Sequence, residues 1–209
     1  MTDACLQDLA KLAAIQSFSQ DDVLPVGTYI VSEGLIGVMR GAHADRSAVT
    51  ALYLVGDLVD LQPGPFDASD RLVALRPTRA VFFPVEGFTA AMQRHQELAL
   101  IACANLKRQA FNLREHAAEL YIKAPDQRLA AFLLWLEQVS GVGDAHLGFD
   151  LPMRRYDLAR YLGMQPETLS RKIKALVTEG AISQRSPSRL VIESRSALET
   201  LAAGLRRVA

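Results

Sequence analysis

The chain has 209 residues, of which 50% are hydrophobic and 22% charged, and its formal net charge is zero. This composition is typical of a folded globular protein and excludes a disordered or collagen-like chain. The charge is unevenly distributed: residues 1–90 carry 11 acidic and 6 basic side chains, whereas residues 152–189 carry 8 basic and 3 acidic ones. A basic segment on a neutral protein is typical of a nucleic-acid-binding element.

Cysteine use and hydropathy indicate the cellular compartment. Cys5 and Cys103 are too few for a disulfide framework or for an iron–sulfur cluster bound by four thiolates. No basic segment followed by an apolar run marks the N-terminus, so we expect no signal peptide. The longest apolar run, residues 129–136, is far shorter than a membrane span. We therefore expect a cytoplasmic protein without membrane contact.

The first part of the chain is predicted to be a helix followed by a small barrel or jelly roll. Apolar residues at helical spacing predict an amphipathic helix over residues 3–15. Short stretches rich in Val, Ile, Tyr and Phe, broken by Gly and Pro, follow as far as Pro84. The predicted strands cover residues 28–31, 36–39, 49–55, 72–75 and 80–83.

A long helix is predicted over residues 86–121, with a break near residues 94–96. Its second part carries apolar residues at alternating steps of four and three over three heptads, flanked by polar side chains. This pattern favours a dimerisation seam; the alternative is that the stripe packs against its own domain. The seam residues are Ala99, Cys103, Leu106, Ala110, Leu113, Ala117 and Leu120.

The C-terminal part is predicted to hold two short helices joined by a tight turn, followed by a hairpin. Pro125 suits the first turn of a helix that continues over residues 126–139. Gly163 supplies the turn between the two short helices, and Ser186-Pro187-Ser188 supplies the hairpin turn. This order is typical of a winged helix-turn-helix, whose second helix enters the DNA major groove. The predicted elements are helices over residues 154–162, 166–179 and 196–205 and strands over residues 182–185 and 189–193.

The second of these helices carries the candidate base-reading residues. Glu167, Ser170 and Arg171 lie on its outer face within two turns, and their side chains are of the types that hydrogen bond base edges. The alternative is a solvated surface with an acid placed at the positive end of the helix dipole. Four basic residues nearby are expected to contact DNA phosphates without reading sequence: Arg160, Lys172, Lys174 and Arg185.

The segment LPMRRYDLARYLGMQPETLSRKIKALVTEGAI resembles the helix-turn-helix of the CRP/FNR superfamily of bacterial transcription regulators. The segment APDQRLAAFLLWL, residues 124–136, resembles the family's helix after the dimer helix, whereas the resemblance before Pro84 is weak. The matching residues are Arg155, Asp157, Leu158, Ala159, Tyr161, Leu162, Gly163, Glu167, Thr168, Ser170 and Arg171.

This resemblance implies an α+β homodimer that also contacts RNA polymerase. Residues 1–90 would be a jelly-roll-like sensory β-roll, residues 91–123 the dimerisation helix and residues 124–209 the winged helix-turn-helix. The E-x-x-S-R pattern is similar to that of the FNR-like branch, which reads palindromes of the TTGA/TCAA type. By this resemblance, Arg171 would bind the guanine and Glu167 would lie near the opposed cytosine. Ser170 would lie near a thymine or adenine.

The sensory part departs from the family's known effector sites. Between Gly56 and Arg79 there is no Gly-Glu pair followed by Arg-Ser/Thr-Ala; Gly64-Pro65-Phe66 occupies that region instead. Only Cys5 lies where an iron–sulfur branch needs several cysteines. We therefore expect neither cyclic AMP nor an iron–sulfur cluster and predict no metal site, and the effector is not identified. Haem stays open, although the histidines are scattered: His43, His95, His116 and His146.

Two alternative functions stay open. One is a sensor for haem or another small ligand whose winged helix contacts protein, and the other is an enzyme with an autoregulatory winged helix. An enzyme would need a catalytic constellation, but no Ser/His/Asp motif, phosphate-binding glycine loop, HExxH or CxxC is present. We therefore predict a regulator rather than an enzyme. The acids of the β region are predicted to be mostly turn residues: Asp45, Asp57, Asp60, Asp67 and Asp70.

Overall fold

The chain divides into two compact units, with the division between Arg114 and Glu115 inside a long helix, Gln96–Ile122. The three functional regions expected from the sequence, residues 1–90, 91–123 and 124–209, stay predictions. The computed structural model describes residues 1–41, 48–61, 70–140 and 148–205.

The first unit consists of two β-sheets, with one helix before the strands in the chain and two helices after them. One sheet has the strand order β1-β7-β2-β5 and the other β4-β3-β6, and the paired strands are antiparallel. Its described elements are α1 (Asp3–Leu12), β1 (Ala14–Phe18), β2 (Gly27–Glu33), β3 (Ile36–Arg40), β4 (Ala48–Tyr53), β5 (Leu58–Leu61), β6 (Asp70–Ala74), β7 (Thr78–Phe83), α2 (Val85–Arg94) and the first part of α3 (Gln96–Ile122).

Alternate residues of both sheets form one apolar core. Tyr29 and Val59 from one sheet and Ile36 and Leu72 from the other are almost fully buried. Burial of such side chains stabilises a fold by roughly 1.5–3 kcal/mol each. A second apolar cluster joins the helices to this β structure: Cys5, Leu9, Phe83, Phe88, Ala91 and Leu98.

Two strands of this unit were not predicted from the sequence. Strand β1 lies at a sheet edge, pairs only with β7 among the described strands and exposes Ile15 at 68%. Strand β5 has only four residues. An exposed edge strand and a very short strand show little alternation of apolar and polar residues, so the sequence pattern predicted neither β1 nor β5. Helix α1 therefore ends at Leu12 rather than residue 15, because Ala13 is extended and the chain continues into β1.

The long helical region is broken where the sequence predicted. Helix α2 ends at Arg94, His95 has an extended backbone, and α3 begins at Gln96. Leu98 and Ala102 are the buried residues of α3.

The second unit contains the end of α3 and a three-stranded sheet with surrounding helices. Strand β8 was not predicted, since its two residues are too few for a pattern, and it adds a third strand to the hairpin in the order β8-β10-β9. The further elements are α4 (Pro125–Ser140), β8 (Phe149–Asp150), α5 (Arg155–Tyr161), α6 (Pro166–Thr178), β9 (Ile182–Gln184), β10 (Arg189–Ile192) and α7 (Arg195–Ala202).

Helix α4 contributes an apolar face to the core of this unit: Leu129, Phe132, Leu133 and Leu136 are buried. Two apolar residues of α5 and α6 are exposed rather than buried. Tyr156 is 45% exposed, and the Arg160 guanidinium lies over its ring, 4.3 Å from the ring centre. Val177 is 37% exposed. At about 100° per residue, Val177 lies about 40° from Ile173 and about 80° from Leu169, so it falls at the edge of the buried stripe.

None of the helices in the described part of the chain is both long and apolar enough to cross a lipid bilayer.

Candidate nucleic-acid interface

Helix α6 is bounded by residues whose backbone preferences define its two ends. Gln165 is extended and Pro166 occupies the first turn, where its missing N–H leaves no hydrogen bond unmade. The helix ends at Thr178, and Gly180 then adopts a positive φ of 70°. Such a φ favours glycine because it has no Cβ. These flanking residues fix which residues form the exposed first turns.

The turn before α6 depends on Gly163, whose φ is 62°. A Cβ at this position would lie 2.9 Å from Leu120 Cδ2, so a side chain would also be crowded. The N–H groups of Gly163 and Met164 donate to the carbonyls of Arg160 and Ala159 at 3.0 and 2.9 Å. The turn therefore sets the angle between α5 and α6.

Arg128 supports this turn from α4. Its Nη2 donates to the Gly163 carbonyl at 3.1 Å, and its Nη1 donates to the carbonyls of Leu120 and Lys123 at 3.1 and 3.0 Å. The side chain is buried, and burial lowers the pKa of its guanidinium. Arg128 therefore joins the end of α3 to the helix-turn-helix. This role could not be predicted from the sequence, because the partners of Arg128 are backbone carbonyls, which every residue carries.

The two faces of α6 differ sharply in exposure. Leu169, Ile173 and Leu176 are at most 1% exposed and anchor the helix. The three predicted base-reading residues lie on the other face, and all are exposed: Glu167, Ser170 and Arg171. Within the described part of the chain, none of these three side chains makes a hydrogen bond or ion pair.

The four predicted phosphate-contact residues have different surroundings. Lys174 on α6 and Arg185 after β9 are exposed. Lys172 is half-buried, and so is Arg160, whose guanidinium stacks on the ring of Tyr156. All four lie in the second unit, on α5, on α6 or beside the wing.

The wing turn is held by hydrogen bonds from within and from α5. Ser186 Oγ accepts from the N–H groups of Ser188 and Arg189 at 3.3 and 3.0 Å. Arg155 Nε donates to the Pro187 carbonyl at 3.1 Å. Arg155 was noted in the sequence only as a motif match. In the structure it connects α5 to the tip of the wing.

His116 and Tyr161 form a stacked pair in the second unit. Their ring centres are 4.0 Å apart and their planes differ by 6°, and Phe132 packs edge-on against Tyr161 at 6.0 Å. Burial lowers the pKa of His116 and raises the pKa of the Tyr161 phenol. Tyr161 is the last residue of α5, so this stack connects the end of α3 to the helix-turn-helix.

The predicted dimer seam on α3 is largely accessible in the single chain. Leu106 and Leu113 are 57% and 44% exposed. Phe111, which the heptad pattern did not include, is 55% exposed. The other seam residues are either exposed (Cys103, Ala110 and Ala117) or half-buried (Ala99 and Leu120).

Several positions named from the sequence fall outside the described residues: Gly64-Pro65-Phe66, His43 and His146, and the acids Asp45 and Asp67. Among described residues, His95 Nε2 lies 3.1 Å from Asp8 Oδ2. Asp57 is a buried turn residue that accepts from the Leu54 N–H at 2.8 Å and from Arg108.

Two helices joined by a glycine turn, with a three-stranded wing and an exposed polar face on the second helix, define a winged helix-turn-helix DNA-binding domain. Comparison with known proteins agrees, since residues 127–201 match the Crp-like helix-turn-helix domain.

Two FixK proteins and one FixK structure are similar to the chain over most of its length. The nitrogen fixation regulation protein FixK of Azorhizobium caulinodans is 30% identical over 188 residues, which cover 87% of this chain and 73% of that protein. The FixK protein of Bradyrhizobium diazoefficiens is 29% identical over 173 residues, covering 79% and 70%. The solved structure of FixK2 from Bradyrhizobium japonicum has a TM-score of 0.79 at 25% identity, covering 90% of this chain and 96% of that one.

The chain belongs to the CRP/FNR superfamily and is a DNA-binding transcription regulator. These comparisons confirm the predicted fold class, with N-terminal β sheets, a long helix and a C-terminal winged helix-turn-helix. The relatives named here are regulators rather than enzymes.

Proposed function

We propose that this regulator acts as a homodimer and reads a palindrome of the TTGA/TCAA type with helix α6. The observation that carries the proposal is the exposure of Glu167, Ser170 and Arg171 on the first turns of that helix. Their side chains have no described partner, so binding DNA would break no internal contact. The buried stripe on the opposite face keeps the helix backbone fixed while these groups reach outward.

The chemistry of the three groups matches one half-site. The Arg171 guanidinium has the fork geometry that binds O6 and N7 of guanine, and the Glu167 carboxylate accepts from N4 of cytosine. These two bases can belong to one base pair, since the two residues lie one helical turn apart on the same face. The Ser170 hydroxyl contacts the neighbouring thymine or adenine.

The basic residues around α6 supply affinity that does not depend on sequence. Arg160, Lys172, Lys174 and Arg185 contact phosphates, and each contact releases condensed counterions from the duplex. Arg160 and Lys172 have local interactions in the free chain, so they exchange these contacts for phosphate.

A homodimer accounts for the apolar face of α3. Leu106 and Leu113 would leave water on pairing with a second copy, and the small Ala110 between them would let the two helices approach closely. A two-fold axis also explains a palindromic site, whose half-sites lie about 34–36 Å apart when they are one helical turn apart.

We also propose the finer assignments that the family suggests. Residues 1–90 form the sensory β-roll, residues 91–123 the dimerisation helix and residues 124–209 the DNA-binding domain of a cytoplasmic regulator that contacts RNA polymerase and is not an enzyme. The effector is neither cyclic AMP nor an iron–sulfur cluster, because the residues for those groups are missing from the sequence.

An electrophoretic mobility shift with the full chain tests this function. The probe is a duplex with one TTGA–TCAA palindrome, and the controls are a scrambled duplex and one whose half-site guanines and paired cytosines are replaced by A·T pairs. We expect a shift of the palindrome that excess scrambled competitor does not abolish and that weakens when 200 mM salt is added. Equal binding to all three duplexes would contradict base reading, and absence of any shift would favour a winged helix that contacts protein.

A further inference from the structure

Three side chains with different metal-binding atoms meet beside the N-terminal helix. The Cys5 sulfur, one ring nitrogen of His95 and one carboxylate oxygen of Glu97 all lie within 4.8 Å of one another. Cys5 is on α1, His95 lies between α2 and α3, and Glu97 is in the first turn of α3. Ligand atoms around a tetrahedral ion with bonds of about 2.0–2.3 Å are separated by about 3.3–3.8 Å. A closure of about 1 Å would therefore bring the three atoms to coordination distance.

We propose that Cys5, His95 and Glu97 bind one divalent transition-metal ion of the Zn²⁺ class. Thiolate, imidazole and carboxylate together are ligands that Zn²⁺ accepts, whereas Mg²⁺ and Ca²⁺ take oxygen ligands only. Three protein ligands leave one tetrahedral position for water or a small ligand. This inference does not depend on the DNA-reading assignment.

Groups behind the three ligands are arranged as outer-shell partners of a metal site. His95 Nε2 lies 3.1 Å from Asp8 Oδ2. The metal would therefore bind the other ring nitrogen, Nδ1, and the Asp8 carboxylate would orient the ring, as carboxylates do for metal-bound histidines. The Thr2 hydroxyl donates to Glu97 Oε1 at 2.6 Å, which fixes the carboxylate in place. The hydrogen bond from Thr2 is the main reason that the pKa of Glu97 is lowered to about 2.

The charges also balance. The Cys5 thiolate and the Glu97 carboxylate together neutralise a divalent ion, and His95 binds as the neutral ring. The carboxylate of Asp8 is compensated separately by Lys11 at 3.1 Å and Arg94 at 3.4 Å. Metal binding would release the proton of the Cys5 thiol.

The simpler alternative is that Cys5 is only a small apolar core residue. Cys5 does pack with Leu9, Phe88 and Leu98 in a hydrophobic cluster. Packing alone does not require an ionised carboxylate and an imidazole beside the sulfur. A bound metal would connect α1 to the start of α3 and stabilise the fold. Stability would then depend on the metal, whereas apolar packing alone would give no such dependence.

Titration of the untagged full chain with Co²⁺ tests the site. We expect a thiolate-to-cobalt charge-transfer absorption in the near ultraviolet, its loss on adding Zn²⁺, and a rise in the thermal unfolding midpoint with Zn²⁺. The absorption should vanish in Cys5→Ser and persist in Cys103→Ser, which removes the other cysteine. No thiolate band in the wild-type chain, or a band that depends on Cys103, would overturn the proposal.

Two milder variants keep the test decisive if Cys5→Ser does not fold. Glu97→Gln removes one ligand charge at a partly exposed position, and Asp8→Asn alters the group behind His95. Competition with a chromophoric chelator should show Zn²⁺ affinity reduced by about 10–100-fold in Asp8→Asn and by at least as much in Glu97→Gln. Circular dichroism checks that both variants are folded, and unchanged affinity in both would reject the site.

Discussion

Among single residues, Arg171 is the side chain on which sequence recognition most depends. Its fork geometry discriminates guanine from other bases, whereas a bidentate pair cannot form with adenine. Arg171→Ala should weaken binding to the palindrome by roughly 1–3 kcal/mol, which is about 5–150-fold, and relax the preference for guanine. Fluorescence anisotropy titrations on the palindrome and on its guanine-substituted version measure both effects.

Lys174→Ala is the matched control, because Lys174 is three residues further along the same exposed face of α6. Removing a phosphate-binding ammonium group from this position in both protomers should weaken binding to every duplex alike and reduce the salt slope by about 2. If Arg171→Ala and Lys174→Ala changed the duplex preference in the same way, the base-reading assignment would be wrong.

His116 should make the stability of the second unit depend on pH. Burial holds its folded-state pKa below the ordinary value of 6.5; the nearby Glu119 opposes this effect and Arg128 adds to it. As pH falls through about 6.5 the unfolded chain takes up a proton that the folded chain refuses, so stability is complete above that pH and declines below it. Unfolding midpoints measured from pH 7.5 to pH 5.0 should therefore fall.

His116→Phe provides the comparison, since a phenyl ring can still stack on Tyr161 and cannot be protonated. Its unfolding midpoint should change less between pH 7.5 and pH 5.0 than that of the wild-type chain. The depressed pKa values of Asp8 and Glu97 weaken the fold only at more acidic pH, so they do not confuse this comparison. Equal pH slopes in both proteins would refute the role of His116.

Among the elements, helix α3 is proposed to pack against the same helix of a second copy of the chain. Leu113→Asp places a charge in the middle of the seam, and burying an unpaired charge against a second helix is strongly unfavourable. We expect sedimentation to give half the mass of the wild-type species. Asn112→Asp, an exposed position one residue away and outside the seam, should leave the mass unchanged. A dimeric Leu113→Asp would reject the seam.

The elements predicted correctly from the sequence are those with local signals. Pro125 and Pro166 mark the starts of α4 and α6, and Gly163 marks the turn before α6. Strands β1 and β8 were missed because their identity depends on pairing with β7 and β10, which lie far away in the sequence. The exposed polar face of α6 could be predicted because it lies within two turns of one helix. The support by Arg128 could not, because its hydrogen bond to the turn spans 35 positions of the chain.

For the whole molecule, charge distribution should control DNA affinity more than net charge does. Four proposed phosphate contacts per protomer give eight in a dimer, so the logarithm of the binding constant should fall with the logarithm of salt concentration with a slope of about −7. Titrations between 50 and 200 mM salt measure this slope on the palindrome. A slope near zero would show that the basic residues do not contact phosphate.

The whole-molecule arrangement was also where sequence reasoning was weakest. Cys5 and His95 are separated by 90 positions, so no spacing rule connects them, and we predicted no metal site from the sequence. Their proximity follows from packing of α1 against α2, which buries Leu9 and Phe88 in one cluster. Ligand sets assembled from distant segments become visible only once the fold is known.

If Leu106 and Leu113 lie in a dimer interface as we propose, gene dosage can act as a signal for this regulator. A lone chain must keep these side chains hydrated, so the fraction of paired chains depends on how much protein the cell makes. Below the dissociation constant for pairing, occupancy of a two-fold site rises with the square of the protomer concentration. A modest change in expression would then alter transcription steeply, even at a constant level of any effector.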